Sequence, residues 1–61
     1  MEKLSKCLDK GPLSLIISKN SLELYDVTAI PRDQGLTAAA TMRERLDEAL
    51  EDVAEMLLKK L

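Results

Sequence analysis

The sequence has no histidine and a single cysteine, Cys7. One thiol cannot form a disulfide within the chain, and one chain without histidine offers no plausible set of four ligands for a structural zinc ion. Acid–base catalysis most often uses histidine, and a nucleophilic serine or cysteine usually needs an adjacent base that no residue obviously supplies. The two glycines, Gly11 and Gly35, make no phosphate-binding loop. We therefore expect no enzyme activity, no cofactor and no metal site.

Strong charge and long apolar runs are also missing. Eleven acidic against nine basic residues give a net charge of -2, which is too small to indicate binding to nucleic acid or to a membrane surface. No apolar run approaches the length of a membrane span, and residues 1–10 (MEKLSKCLDK) lack the apolar middle of a signal peptide. We expect a soluble, cytoplasmic protein, and a reduced thiol agrees weakly with that location.

The first segment has the pattern of a short helix. Leu4, Cys7 and Leu8 recur at helical spacing, Gly11 stands where a left-handed C-cap would lie, and Pro12 follows it. Residues 1–11 are therefore predicted to form a helix that docks through this apolar stripe, because so short a helix does not hold alone in water.

Cys7 has two interpretations. Its thiol could be reactive, with a pKa lowered by the charges of Lys3, Lys6 and Lys10. It could instead be a small apolar residue on the docking stripe. The packing interpretation is favoured, since cysteine is commonly buried.

Residues 13–27 predict a β-hairpin with a two-residue turn at Lys19 and Asn20. Because side chains alternate along a strand, this register collects four apolar residues on one face: Leu15, Ile17, Leu22 and Leu24. Tyr25, the one aromatic residue, falls on the opposite, polar face. A one-residue slip would send the leucines to the wrong side, which favours this register.

Residues 28–36 are predicted to be a linker, marked by Pro31 and Gly35. Residues 37–61 then predict a long amphipathic helix, with Thr37 as one possible N-cap and Thr41 with Glu44 as an internal capping-box alternative. The core residues that we predict on its apolar arc are Met42, Leu46, Leu50, Val53 and Leu57. The last four of them are expected to pack on Leu15, Ile17, Leu22 and Leu24 of the hairpin.

Size and pattern together predict an α+β fold that is completed by a second copy. A domain of 61 residues buries only about 60% of the surface that its unfolded chain exposes, and an isolated hairpin is marginal. The apolar arc of the long helix is also wider than one hairpin covers. We expect a homodimer or higher homo-oligomer that shares sheet edges, helix faces or both.

The long helix also carries an acidic arc, which we define as Glu44, Asp47, Glu48, Glu51, Asp52 and Glu55. The favoured interpretation is a solvated face that keeps a small dimer soluble. The alternative is a docking face for a basic patch on a partner protein, with Tyr25 as an exposed anchor. For Tyr25 itself, packing over the sheet edge against Pro12 or Pro31 is favoured over the anchor role. Calcium is not expected, because a helix lacks the loop geometry that its ligands need.

Two functions follow from these patterns. The first is a non-enzymatic homodimer that binds a larger protein and inhibits or regulates it, as phage-encoded inhibitors of host machinery do. The second is a dimeric DNA-binding transcriptional regulator that presents a two-stranded ribbon. The ribbon offers only Lys19 and Asn20 as reading groups, and the helix places acids where phosphates would lie. We therefore favour the protein-binding function and expect no specific nucleic-acid partner.

Overall fold

The computed structural model describes residues 2–32 and 38–60, which form an α+β fold. The elements in chain order are α1 (Glu2–Lys10), β1 (Leu13–Lys19), β2 (Tyr25–Pro31), β3 (Ala39–Arg43) and α2 (Leu46–Lys60). The strands form an antiparallel sheet in the order β1-β2-β3. The predicted α+β class and its order of helix, hairpin and helix are confirmed, and the structure adds a third strand.

The hairpin has a longer turn and a different register from those predicted. Residues 20–24 connect the strands, so that Lys19 pairs with Tyr25 and Ile17 pairs with Val27. Asn20 organises the turn, because its Oδ1 accepts the backbone N–H groups of Leu22 (2.9 Å) and Leu24 (3.2 Å). The predicted two-residue turn is therefore wrong.

The wider turn removes two predicted residues from the strands. Leu22 lies in the turn with 72% of its surface exposed, and Leu24 lies just before β2, half-buried. Glu23, between them, has a φ of 63°. That left-handed conformation ends the strand geometry at this point, so Leu22 and Leu24 cannot extend the apolar face of a strand.

Residues 39–43 form β3 although their sequence predicted a helix. Ala39, Thr41 and Arg43 pair with Ala29, Val27 and Tyr25 of β2. Pairing with β2 supplies hydrogen bonds that override the helix preference of this segment, because tertiary context outweighs local propensity. Residues 28–31 of the predicted linker belong to β2, and residues 33–36, like the predicted N-cap Thr37, lie outside the described residues.

The charged residues at the two ends of α2 match the helix dipole. α2 begins at Leu46 with Asp47 and Glu48 in its first turn and ends with Lys59 and Lys60, which suits the helix dipole.

The turn after α1 differs from the predicted cap. The Gly11 N–H donates to the Leu8 carbonyl at 3.3 Å. The φ of Gly11 is 158°, far from the left-handed cap near +57°, so the predicted cap geometry is wrong.

The core lies between α2 and the strands β2 and β3. The buried side chains are those of Cys7, Val27, Ala29, Ala39, Ala49, Leu50, Val53, Ala54 and Leu57. Leu46 is half-buried against this cluster. The predicted packing of Leu15, Ile17, Leu22 and Leu24 on the helix is therefore replaced by packing of Val27, Ala29 and Ala39. Neither helix of the described residues has the length and apolarity that a membrane span requires.

Candidate functional site

The helix-side face of β1 carries apolar side chains that the fold leaves uncovered. Leu15 pairs with Ala29, and Ile17 pairs with Val27, so all four side chains point to the same face of the sheet. Ala29 and Val27 are fully buried, whereas Ile17 is 47% exposed. α2 packs over β2 and β3. α2 therefore does not cover β1.

The opposite face of the sheet has no helix on it among the described residues. We call it the open face, and its strand residues are Ser14, Ile16, Ser18, Asp26, Thr28, Ile30, Ala40 and Met42. Ile16 is 57% exposed and Met42 is 51% exposed. Asp26 is the one charged side chain among these strand residues, and Thr28 lies at the centre between Ile16 and Ala40. The open face is therefore mostly neutral and mixes apolar with small polar side chains.

The backbone of β1 presents a row of hydrogen-bonding groups outward. The Asn20 N–H donates to the Leu24 carbonyl at 3.0 Å, and the Arg32 N–H donates to the Pro12 carbonyl at 3.1 Å. In an antiparallel ladder every second residue bonds to its neighbour, so the even-numbered residues of β1 face β2. The peptide groups of Leu13, Leu15, Ile17 and Lys19 point away from the sheet. We call this row the β1 edge.

The two outer strands differ in how they discourage pairing with another chain. β1 pairs with β2 over seven residues without a bulge, and Lys19 is its one charged residue. β3 has five residues and ends at Arg43, which forms an ion pair with Asp52 at 2.9 Å. Short strands, charges and bulges are the usual protection of a sheet edge. Only the β1 edge lacks most of them.

Tyr25 lies on the helix-side face and not on the polar face that we predicted for it. The register pairs Tyr25 with Lys19 and with Arg43. The Lys19 Nζ stands 5.3 Å from the centre of the ring, within cation–π distance. The tyrosine is half-buried against the core cluster, so it is less available as an anchor than the docking interpretation requires.

Glu51 of the acidic arc caps α1. Its carboxylate accepts the backbone N–H groups of Lys3 (3.2 Å) and Leu4 (3.0 Å) at the start of that helix, where unpaired N–H groups favour a negative charge. Burial raises the pKa of Glu51, but the hydrogen bonds from Leu4 and Lys3 and the charge of Lys3 outweigh it, so that the pKa lies below its usual value.

Asp52 and Glu55 also make contacts within the chain. Asp52 accepts hydrogen bonds from the Thr41 hydroxyl and, at 2.9 and 3.1 Å, from the Arg43 guanidinium. The bonds from Thr41 and Arg43 hold the pKa of Asp52 below its usual value, although burial opposes them. Glu55 forms an ion pair with the Lys3 Nζ at 3.2 Å. These two carboxylates therefore attach β3 and α1 to α2.

The other three acids are exposed: Asp47 and Glu48 lie in the first turn of α2, and Glu44, which we predicted on the helix, lies just before it. Glu44 and Glu48 lie at the surface, and Asp47 forms an ion pair with Arg45 at 3.1 Å. A groove of 280 Å³ beside this region is lined by Lys3, Arg43, Glu48, Glu51, Asp52 and Glu55. Its charges largely pair with each other. Within residues 2–32 and 38–60, no group of three or more His, Cys, Asp or Glu side chains is arranged to hold a metal ion.

Cys7 is a packing residue in this fold. It is buried, and its Sγ donates to the Ala54 carbonyl at 3.2 Å. Burial raises the pKa of the thiol, and the nearby Glu51 charge raises it further, against a smaller lowering by Lys10. A buried thiol with a raised pKa is a poor nucleophile, so the reactive interpretation loses its basis.

The sequence did not reveal the open face. A two-residue turn at Lys19 and Asn20 sets Ile16 opposite Glu23, and the sequence predicts a helix at Met42 and a linker at Ile30. One signal was available, because the run Leu15-Ile16-Ile17 puts apolar side chains on both faces of any strand. Such a run indicates that β1 has apolar neighbours on both sides.

Comparison of the chain with protein-family models, with curated proteins and with solved structures finds no match.

Proposed function

We propose that the chain is a cytoplasmic, non-enzymatic homodimer that binds a larger protein and inhibits or regulates it. The observation that carries this proposal is the exposure of the consecutive residues Leu15, Ile16 and Ile17 on an unprotected edge strand. Leu15 and Ile17 lie on the helix-side face and Ile16 lies on the open face, so exposed apolar side chains flank the edge on both sides. Exposed apolar surface of this kind on a small domain marks a site of protein–protein contact. An edge strand with free peptide groups supports the same function, because it pairs readily with another chain.

Two separate surfaces serve the two kinds of contact in this proposal. The β1 edge binds the second copy, and the open face binds the larger protein. Because strand pairing continues the sheet across the dimer, the open faces of both copies join into one surface with both Ile16 side chains near its centre. The larger protein then meets a surface twice the size of that on one chain.

The open face also indicates the chemistry of the larger protein. Its exposed apolar side chains, Ile16, Ile30 and Met42, call for an apolar patch on the partner. Asp26, the charged strand residue of this face, calls for a basic group opposite it. The exposed acids Glu44 and Glu48 add negative potential that accelerates encounter with a basic surface.

A capture experiment with matched variants tests this function. Wild-type protein and the variants Ile30→Ser and Met42→Ser are immobilised and exposed to a lysate of the source cells at physiological salt. Leu8→Ser is the control, because Leu8 is also an exposed apolar residue but lies on α1. We expect one protein to be retained by the wild type and by Leu8→Ser and to be lost with both open-face variants.

A second measurement tests regulation itself. The retained protein is purified, and its activity is measured with and without wild-type dimer and with Met42→Ser. We expect the wild type to change that activity and Met42→Ser to leave it unchanged. Equal capture by all variants, no effect on the purified protein, or recovery of a specific DNA sequence would each contradict the proposal.

A further inference from the structure

The peptide groups of the β1 edge restrict how a second β1 can pair with it. The outward groups belong to Leu13, Leu15, Ile17 and Lys19, so hydrogen-bonded pairs across a two-fold axis join odd-numbered residues to odd-numbered residues. This leaves registers whose axis passes at Leu15, at Ile16 or at Ile17, and others with still shorter overlap. The registers differ in how much of each strand finds a partner.

We infer that two copies pair β1 to β1 in antiparallel orientation with the two-fold axis at Ile16. This inference rests on the proposed homodimer and specifies its interface. With the axis at Ile16, all seven residues of β1 have a partner: Leu13 meets Lys19, Ser14 meets Ser18, Leu15 meets Ile17, and Ile16 meets its own copy. The ladder contains four hydrogen-bonded pairs with two bonds each. An axis at Leu15 or Ile17 leaves two residues of each strand unpaired.

The side chains of this register match on both faces of the joined sheet. On the helix side, Leu15 and Ile17 of each copy form one strip of four apolar side chains between the two helical layers. On the open face, the two Ile16 side chains face each other and the serines flank them. The one charged residue of β1, Lys19, meets Leu13 of the other copy. No like charges lie opposite each other, which would destabilise the pair.

A second copy also explains why the β1 edge is left unprotected. An edge strand that is long, regular and apolar favours uncontrolled pairing unless a specific partner occupies it. In the two-fold dimer, both β1 edges are paired with each other. The short β3 strands, each with Arg43 in its ion pair, then form the outer edges of a six-stranded sheet. Assembly therefore stops at the dimer.

Disulfide trapping tests the register. Ile16→Cys is made in a Cys7→Ser background and oxidised mildly. Facing residues of a non-hydrogen-bonded antiparallel pair have Cα atoms about 4.5 Å apart, within the range of about 4.4–6.8 Å that a disulfide spans. We expect most of the protein to become covalent dimer, and circular dichroism confirms beforehand that the variant is folded. If Cys7→Ser does not fold, Cys7→Ala serves as the background.

Ser18→Cys is the matched control on the same strand and face. Alone it should give about tenfold less covalent dimer than Ile16→Cys, because four residues at about 3.4 Å each separate the two thiols along the strands. Mixed with Ser14→Cys chains, it should link efficiently, since Ser14 meets Ser18 in this register. The yield of this mixed cross-link is a second, independent measurement of the position of the two-fold axis.

The outcomes separate the interface from the dimer itself. Sedimentation of the reduced proteins establishes first whether a dimer is present. A dimer in which Ile16→Cys links preferentially to Ser14→Cys or to Ser18→Cys places the axis elsewhere and overturns the register, while the homodimer stands. A dimer that no β1 cysteine traps overturns the edge pairing. A monomer at concentrations of tens of micromolar overturns the homodimer and the inference with it.

Discussion

Ile17 and Val27 are cross-strand partners on the same face of the sheet, yet Val27 is fully buried and Ile17 is 47% exposed. The difference arises because α2 covers β2 and leaves β1 outside. The core of a single chain thus contains small residues of β2 and β3, while the larger residues of β1 lie at the surface. In the proposed dimer, Val27 serves the folding of one chain and Ile17 serves its association with the second copy.

Truncation of each partner should therefore have a different effect. Val27→Ala should lower the free energy of unfolding by about 2 kcal/mol at any protein concentration, because it opens a cavity in the core. Ile17→Ala should change the stability of the dilute monomer by less than about 1 kcal/mol. It should raise the dissociation constant of the dimer roughly tenfold, since symmetry removes its contact with Leu15 twice. Urea titration of dilute protein and sedimentation over a range of concentrations measure the two effects.

The prediction fails if Ile17→Ala destabilises the dilute chain as much as Val27→Ala does. That result would mean that β1 belongs to the core of the single chain. It would remove the reason for a second copy.

Acid should weaken the fold through Glu51 and Asp52. A carboxylate whose folded-state pKa is lowered holds its proton more weakly in the folded chain than in the unfolded chain. It therefore stabilises the fold above the unfolded-state pKa, and this stabilisation is lost as the pH falls through the lowered value. We expect the urea midpoint to be highest above about pH 5 and to fall progressively toward about pH 3.

Asp52→Asn isolates one of these contributions. It should lower the free energy of unfolding at pH 7 by about 1–2 kcal/mol, because the charge-assisted bonds to Thr41 and Arg43 are weakened. It should also make the loss of stability in acid shallower. Glu44→Gln is the control, since Glu44 is exposed at the surface and should leave the midpoint nearly unchanged. Equal behaviour of the two variants would contradict the structural role of Asp52.

Cys7 should react only when the chain opens. Its buried position and raised pKa predict that a thiol reagent modifies the native protein at least about 100-fold more slowly than the urea-unfolded protein. Cys7→Ser should fold, dimerise and bind the larger protein as the wild type does. Rapid modification of the native thiol, or loss of binding by a folded Cys7→Ser, would restore Cys7 as a reactive site.

The sequence predicted elements whose signals are local. The helical spacing of Leu4, Cys7 and Leu8 located α1. The apolar repeat of the C-terminal segment located α2, where Leu50, Val53 and Leu57 are buried. These patterns hold because helix periodicity depends on residues a few positions apart.

The sheet could not be predicted as well, because its register depends on the turn geometry and on pairing between residues far apart in the sequence. Asn20 selects a turn through its side-chain bonds to Leu22 and Leu24, and that turn shifts every residue after it. Residues 39–43 become a strand only because β2 offers them an edge. The acidic arc resembled a solvated face because sequence does not show that Glu51 meets the start of α1.

Replacing Ile16 with a charged residue tests the proposed β1-paired dimer most directly. Ile16 is exposed in the single chain, so Ile16→Lys and Ile16→Glu should both fold. The proposed axis sets this residue against its own copy, so each variant alone brings like charges together and should raise the dissociation constant of the dimer roughly tenfold or more. An equimolar mixture should recover the dimer as a heterodimer, seen as one sedimenting species with one chain of each kind. If both variants dimerise as well as the wild type does, or if the mixture stays as weak as its components, Ile16 does not lie at the axis of a β1-paired dimer.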